Sequence, residues 1–227
     1  MKKIICRCFI AVAFFLAAAG VSSFAQTEQV DLNALGQETQ KRSDKPGEMT
    51  FIWWIPEEYW QASFTQNPSM TPAQIDDFLK VFRPYTLVAA VDGNMGSFGT
   101  VTYKTEAEIR GNLSVIDSAG NKYLPLGEEE INADIKGLLA MMKPAWANNF
   151  GPIGQNMHFF LFPGQNKEGR SIADAKKDGI FLVKLDEREF RWKLPLGSLL
   201  PSKICPTCGE KISGAYKFCP WDGTKLE

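Results

Sequence analysis

Met49-Thr50-Phe51-Ile52-Trp53-Trp54-Ile55 is a β-branched and aromatic run that stays apolar at every position after Thr50. A strand with one wet face alternates apolar and polar residues, so a run without alternation predicts a central strand buried on both faces. Pro56-Glu57-Glu58 suits the first turn of a helix, where proline's fixed φ and acidic side chains are both favoured, and Tyr59, Trp60 and Phe64 would then face the sheet. Further on, Thr71-Pro72-Ala73-Gln74 is a capping-box signature, followed by Ile75, Phe78, Leu79 and Phe82 on one stripe. Pro84 ends that amphipathic helix, and Tyr85-Thr86-Leu87-Val88-Ala89-Ala90-Val91 reads as a second buried strand.

Residues 92–99, with three glycines and an asparagine, predict a loop. Val101, Tyr103, Leu113 and Val115 alternate with polar residues, and 117–121 turn the chain into Tyr123-Leu124, as expected of antiparallel strands. Glu128-Glu129-Glu130 opens a helix carrying Ile131, Ile135, Leu138, Leu139 and Met142, stopped near Pro144 and followed by a loop over 148–156. Residues 157–162 read as a strand, 170–177 as a short helix, and 179–185 with 189–194 as a hairpin. The whole predicts an α+β domain over 49–194: a mainly antiparallel sheet or sandwich with about three helices on one side. The strand–helix–strand order between Phe51 and Val91 keeps a thioredoxin-like or doubly wound arrangement as the alternative.

At the N-terminus, Lys2, Lys3 and Arg7 precede an apolar run from Phe9 to Ala19 and then Ser23-Phe24-Ala25. Residues 1–25 read as a secretory signal peptide, with an uncleaved signal anchor as the alternative. The apolar run of about 11 residues is short of the roughly 20 that span a bilayer, and no lipobox follows it, since Cys6 and Cys8 lie before it. The expectation is an exported, periplasmic or secreted chain with no stable membrane span after cleavage. Residues 26–48 read as a polar, disordered leader, with a turn of helix near Val30 to Leu35 the one candidate for docking. Removing three basic and no acidic residues leaves 22 basic against 26 acidic, a net charge of −4 in place of −1. That balance speaks against nucleic acid as a partner.

Three cysteines survive processing, Cys205, Cys208 and Cys219, clustered behind a tether over 195–202. A disulfide framework uses an even number spread through the fold, so the cluster points to a metal. Cys205-Pro206-Thr207-Cys208-Gly209 and Cys219-Pro220-Trp221-Asp222-Gly223 form a short repeat, each half offering two ligands three residues apart around a glycine turn. Residues 203–227 thereby resemble the zinc-ribbon or zinc-knuckle family, with Phe218 in the place of the aromatic before the third cysteine. The resemblance implies structural zinc on Cys205, Cys208 and Cys219. Asp222 stands where the family has a fourth cysteine, making the expected set Cys3Asp. Two other readings of the cysteines stay open: a degenerate ribbon with a Cys205–Cys208 disulfide, and a thiol redox pair at the same two residues. The body over 49–194 resembles no family recognised from its motifs.

The body carries weaker candidates. His158, the single histidine, sits in an apolar strand and reads as a packed residue rather than a general base or ligand. Trp53, Trp54, Tyr59 and Trp60 beside Glu57 and Glu58 suggest a sugar platform, but adjacent carboxylates on a helix point apart rather than across a bond. Asp92-Gly93-Asn94 opens like a calcium loop without the glutamate that would complete it, and Gly93, Gly96 and Gly99 lack the spacing of a phosphate cradle. With no nucleophile–base or paired-carboxylate pattern, the sequence reads as a non-catalytic binding or scaffold protein whose ribbon contacts protein. The rivals are a hydrolase joining His158 to a carboxylate such as Asp92 or Asp117, and the thiol redox protein.

Overall fold

A computed structural model describes residues 29–43, 45–66 and 69–227. The signal-peptide reading of residues 1–25 lies outside them. The fold is α+β, and every strand pairing in it is antiparallel. One four-stranded sheet has the order β1 (Gln40–Arg42), β2 (Phe51–Ile55), β3 (Tyr85–Val91), β8 (His158–Pro163). The second runs β10 (Arg188–Leu194), β9 (Gly179–Leu185), β6 (Leu113–Ile116), β7 (Lys122–Tyr123). The doubly wound alternative is therefore excluded.

The unalternating run at 51–55 becomes a strand with two buried faces. Ile52 and Trp54 join Val88, Ala90, Phe160 and Phe162 against Val115, Phe181, Val183 and Trp192 of the second sheet. Phe51, Trp53 and Ile55, with Leu87, Ala89 and Val91, face the helices. Those helices are α2 (Glu57–Thr65), α3 (Pro72–Phe82) and α5 (Ala133–Gln155). The register sets small against large, Trp53 opposite Ala89 and Ile52 opposite Ala90, which gives the bulky rings room. Layering is thus helices, sheet, sheet. The capping box of α3 is formed, Thr71 accepting from the Gln74 amide while Gln74 Oε1 accepts from the Thr71 amide at 2.8 Å.

Several expectations need correction. The leader is not disordered over its described length: α1 (Leu32–Thr39) and β1 dock on the body. Leu35 is wholly buried, Thr39 Oγ1 accepts from the Trp53 indole at 3.1 Å, and the Glu38 carbonyl accepts from Trp192 Nε1 at 3.0 Å. This polar segment supplies acceptors for two core indoles, a contribution that hydrophobicity does not register. Nor is 195–202 a free tether. The Glu38 carboxylate accepts from the amides of Gly197 and Ser198, at 2.7 and 2.9 Å, and from the Ser198 hydroxyl at 2.6 Å, while Leu196 is buried. Glu38→Ala should lower stability by about 2 kcal/mol in urea denaturation, the cost of stripping a charged acceptor from three donors.

Among the described residues the α-helices number five, the three that face the sheet and two more. The fourth, α4 (Glu106–Asn112), has a Thr105–Glu108 capping box but buries only Ile109, so it shows no apolar stripe. The helix expected to stop near Pro144 continues to Gln155, broken at Gly151, and it occupies the predicted 148–156 loop. Past Pro144 the helix carries Trp146, stacked on Trp53 with centroids 5.2 Å apart and edge-on to Phe159. Residues 128–130 form a 3-10 turn ahead of it. Residues 170–177 are not helical. Ser171 and Asp174 side chains accept from the amides two residues on and set a series of turns, with Ile172 and Ala175 in the core. Within the predicted 92–99 loop, β4 (Gly93–Met95) pairs with β5 (Val101–Tyr103).

Candidate metal centre

Past the sandwich, Lys203–Ile204 pairs with Lys211–Ile212 as β11 and β12, and Phe218 bridges Lys225 in the matching place of the second half. The repeat seen in sequence is a repeat in space. Cys205 N donates to Glu210 O at 2.9 Å and Gly209 N to Cys205 O at 2.9 Å; Cys219 N donates to Thr224 O at 2.7 Å and Gly223 N to Cys219 O at 2.9 Å. Gly209 and Gly223 both have φ of +75°, a conformation that glycine enters without a side-chain clash. Cys205, Ile212, Cys219 and Leu226 are buried together, which is too small a core to hold such a module by itself.

The two knuckles bring Cys205, Cys208, Cys219 and Asp222 together, with their ligand atoms all within 4.8 Å of one another. Cys208 Sγ lies 3.7 Å from Cys219 Sγ, and Cys205 Sγ lies 3.4 Å from Asp222 Oδ2. A tetrahedral metal with metal–sulfur bonds near 2.3 Å and metal–oxygen bonds near 2.0 Å has S···S edges of about 3.8 Å and S···O edges of about 3.5 Å. The four residues could hold a metal ion. All three cysteines are free thiols, Cys205 and Cys219 buried and Cys208 exposed.

Asp222 occupies the position of a fourth cysteine in more than sequence. Thr224 N donates to Asp222 Oδ1 at 2.8 Å, as Glu210 N donates to the Cys208 sulfur at the equivalent place. That bond from Thr224 holds the Asp222 carboxyl well below the usual range. Burial pushes the Cys205 thiol up, but amide donors at Cys208 and Thr207 outweigh it and leave the thiol lowered. At Cys208 the Glu210 amide pulls down, and burial with the crowding of Cys205, Cys219 and Asp222 pushes the thiol up to about 12. Four acidic groups at this spacing resist ionising together without a cation to compensate them. Sequence reasoning missed the Thr207–Thr224 hydroxyl bond of 2.9 Å that ties the knuckles; the two threonines sit at different places in their halves, so the repeat does not pair them.

The two carboxylates expected beside His158 are committed elsewhere. Asp92 is engaged by Arg188, Lys104 and Thr50, and Asp117 accepts from the amides of Ala119 and Asn121, the Asn121 side chain and the Tyr123 hydroxyl. His158 Nδ1 is buried without a hydrogen-bond partner, and the Glu106 carboxylate beside it is 3.9 Å away. Desolvation lowers the His158 pKa, with the charge of Glu106 opposing it. Trp53 and Trp54 lie on opposite faces of β2 and form no common platform. Among the described residues no helix is long and apolar enough to cross a membrane. The chain matches no protein-family model, no curated protein and no solved structure.

Proposed function

We propose that residues 203–227 are a zinc ribbon whose Cys205, Cys208, Cys219 and Asp222 hold a structural zinc. On this reading the chain is an exported, non-catalytic binding or scaffold protein, and the ribbon is its protein-contact module. The observation that carries the reading is the convergence of three thiols and one carboxylate within 4.8 Å on two turns with matching backbone hydrogen bonds. Zinc is favoured by thiolate ligands in tetrahedral array, and a site with all four positions supplied by protein contributes folding energy rather than chemistry. Protein contact is supported by what the module leaves in solvent: Ile204, Tyr216, Phe218 and Trp221 are all large, apolar and exposed.

The test is metal analysis and thiol counting on protein recovered from its own compartment, with N-terminal sequencing of the same sample. The reading expects one zinc per chain, three thiols that react only after chelation, and a mature start near Gln26. A metal-free protein with a single reactive thiol at Cys219 overturns the ribbon in favour of a Cys205–Cys208 disulfide, and an intact Met1 overturns the cleaved signal.

A further inference from the structure

The three thiols of the metal centre are not equivalent. Cys205 and Cys219 are 1% and 3% exposed, whereas Cys208 is open to solvent. The Cys208 sulfur lies 3.7 Å from Cys219 Sγ on the other knuckle, and Cys205 Sγ donates to Asp222 Oδ2 at 3.4 Å. The four side chains thus pair across the knuckles, sulfur with sulfur and sulfur with oxygen. Two thiolates in contact can give up two electrons and join, while a thiolate and a carboxylate cannot. A ribbon with a fourth cysteine has two such oxidisable pairs; with Asp222 in that place, this one has Cys208 and Cys219.

The same pair is placed to keep the module together once joined. Closing the two sulfurs from 3.7 Å to a bond of about 2.0 Å ties the first knuckle to the second, as a shared metal ion does. A Cys205–Cys208 bond lies within the first knuckle, the turn closed by Gly209 N and Cys205 O, and leaves the second unattached. The Thr207–Thr224 hydroxyl bond of 2.9 Å holds the two turns side by side in register for the cross-knuckle bridge. A core as small as Cys205, Ile212, Cys219 and Leu226 needs a staple of one kind or the other.

We propose that Cys208 and Cys219 are an oxidation site for hydrogen peroxide, through which the ribbon exchanges its metal for a disulfide. The inference rests on the zinc reading and gives that site a response to oxidant. Metal ligation holds the sulfurs as thiolates. The exposed Cys208 thiolate attacks one peroxide oxygen: an S–O bond forms, the O–O bond breaks, and the departing hydroxide is protonated to water, leaving Cys208 as sulfenic acid. The Cys219 thiolate then attacks the Cys208 sulfur: the S–S bond forms, the S–O bond breaks, and a second hydroxide leaves and is protonated. In total two thiolates, two protons and one hydrogen peroxide give one disulfide and two water molecules, two electrons passing from sulfur to oxygen. The ion keeps its charge and is left with Cys205 and Asp222, two ligands in place of four, so it is released. Because Cys205 faces a carboxylate, oxidation stops at one bridge, a state that a thiol reductant reverses.

The experiment takes the full mature chain, reduced and loaded with zinc in the absence of oxygen, and adds one equivalent of hydrogen peroxide per chain. Freed zinc is read with a chromogenic chelator, thiols are counted after denaturation, and bridges are mapped by mass spectrometry of alkylated peptides. The expected result is release of about one zinc per chain and a fall from three thiols to one, at Cys205, with Cys208 joined to Cys219. Dithiothreitol with added zinc should restore the starting state. Asp222→Cys, which gains a second sulfur pair, should consume about two equivalents and end with no thiol. A chain that holds no zinc before peroxide is added sinks the zinc reading and this one with it. In a chain that does hold zinc, four results overturn this proposal alone: zinc retained after peroxide, sulfinic acid at Cys208 without a bridge, a Cys205–Cys208 bridge with Cys219 left over, or an Asp222→Cys variant that stops at one equivalent.

Discussion

Arg188→Met is expected to cost about 3 kcal/mol of folding stability, measured as a lower urea midpoint at unchanged slope. Asp92 directly follows β3 of the first sheet and is 2% exposed; Arg188 opens β10 in the second. The guanidinium meets the carboxylate through two bonds of 2.8 and 2.7 Å, Lys104 adds an ion pair at 2.8 Å, and the Thr50 hydroxyl donates at 2.7 Å. This is the polar clasp between the two sheets. Removing its main cation leaves a buried carboxylate undercompensated, the situation in which losses are large. The double variant Asp92→Leu with Arg188→Met should recover part of the loss, and a fully additive double variant would show that the two residues do not act as a pair.

The same clasp sets an acid limit. Burial pushes the Asp92 carboxyl up, but hydrogen bonds from Arg188, Lys104 and Thr50 outweigh it and bring it from an ordinary 3.8 to about 2. The folded-state value is depressed, so the stabilisation is fully present above about pH 4 and is lost as pH falls through about 2. Wild type should lose about 2 kcal/mol more than Asp92→Leu on acidification across that window. Parallel acid curves for the two proteins would contradict the assignment.

Cys219→Ser should abolish metal binding and unfold residues 203–227 while the sandwich stays intact. Structural zinc sites contribute roughly 10–16 kcal/mol of apparent binding energy at neutral pH, far more than a core of Cys205, Ile212, Cys219 and Leu226 can replace. The readout is hydrogen exchange: amides of Cys205, Gly209, Cys219 and Gly223, bonded within the knuckles, should lose protection, and those of β3 and β9 should keep it. Asp222→Cys should retain the fold and bind zinc at least about tenfold more tightly, because a soft thiolate replaces a hard oxygen. Protected knuckle amides in metal-free Cys219→Ser would show that the module holds itself without an ion.

What the sequence disclosed followed from local patterns. The Phe51–Ile55 run announced a two-sided strand because each of its side chains reports its own burial. Thr71 and Gln74 announced a helix start because both partners of the capping box lie within four residues. The four residues that could hold a metal were readable for the same reason, each pair being three apart on one turn. Failures came where a segment's order depends on distant partners. Nothing within 29–42 signals that Thr39 and Glu38 are the acceptors for Trp53 and Trp192, and nothing near Pro144 signals that Trp146 stacks on Trp53. The α4 helix was legible through Thr105-x-x-Glu108 and was passed over because it carries a single buried apolar residue.

The sequence by itself therefore determined the turns of the two knuckles and the identity of the three thiols and one carboxylate they carry. Each of these is written in residue spacing of four or less. Only the tertiary structure decided that the knuckles face one another at tetrahedral distances, that Asp222 receives the same backbone donor as a cysteine, and that Asp92 and Asp117 are taken up by partners other than His158. It also decided that the Cys208 and Cys219 sulfurs meet across the knuckles. The physical reason is common to all four: hydrogen bonds and ion pairs act over a few ångströms in space, and only the packing of β2, β3 and the connections around them sets which distant residues come within that range.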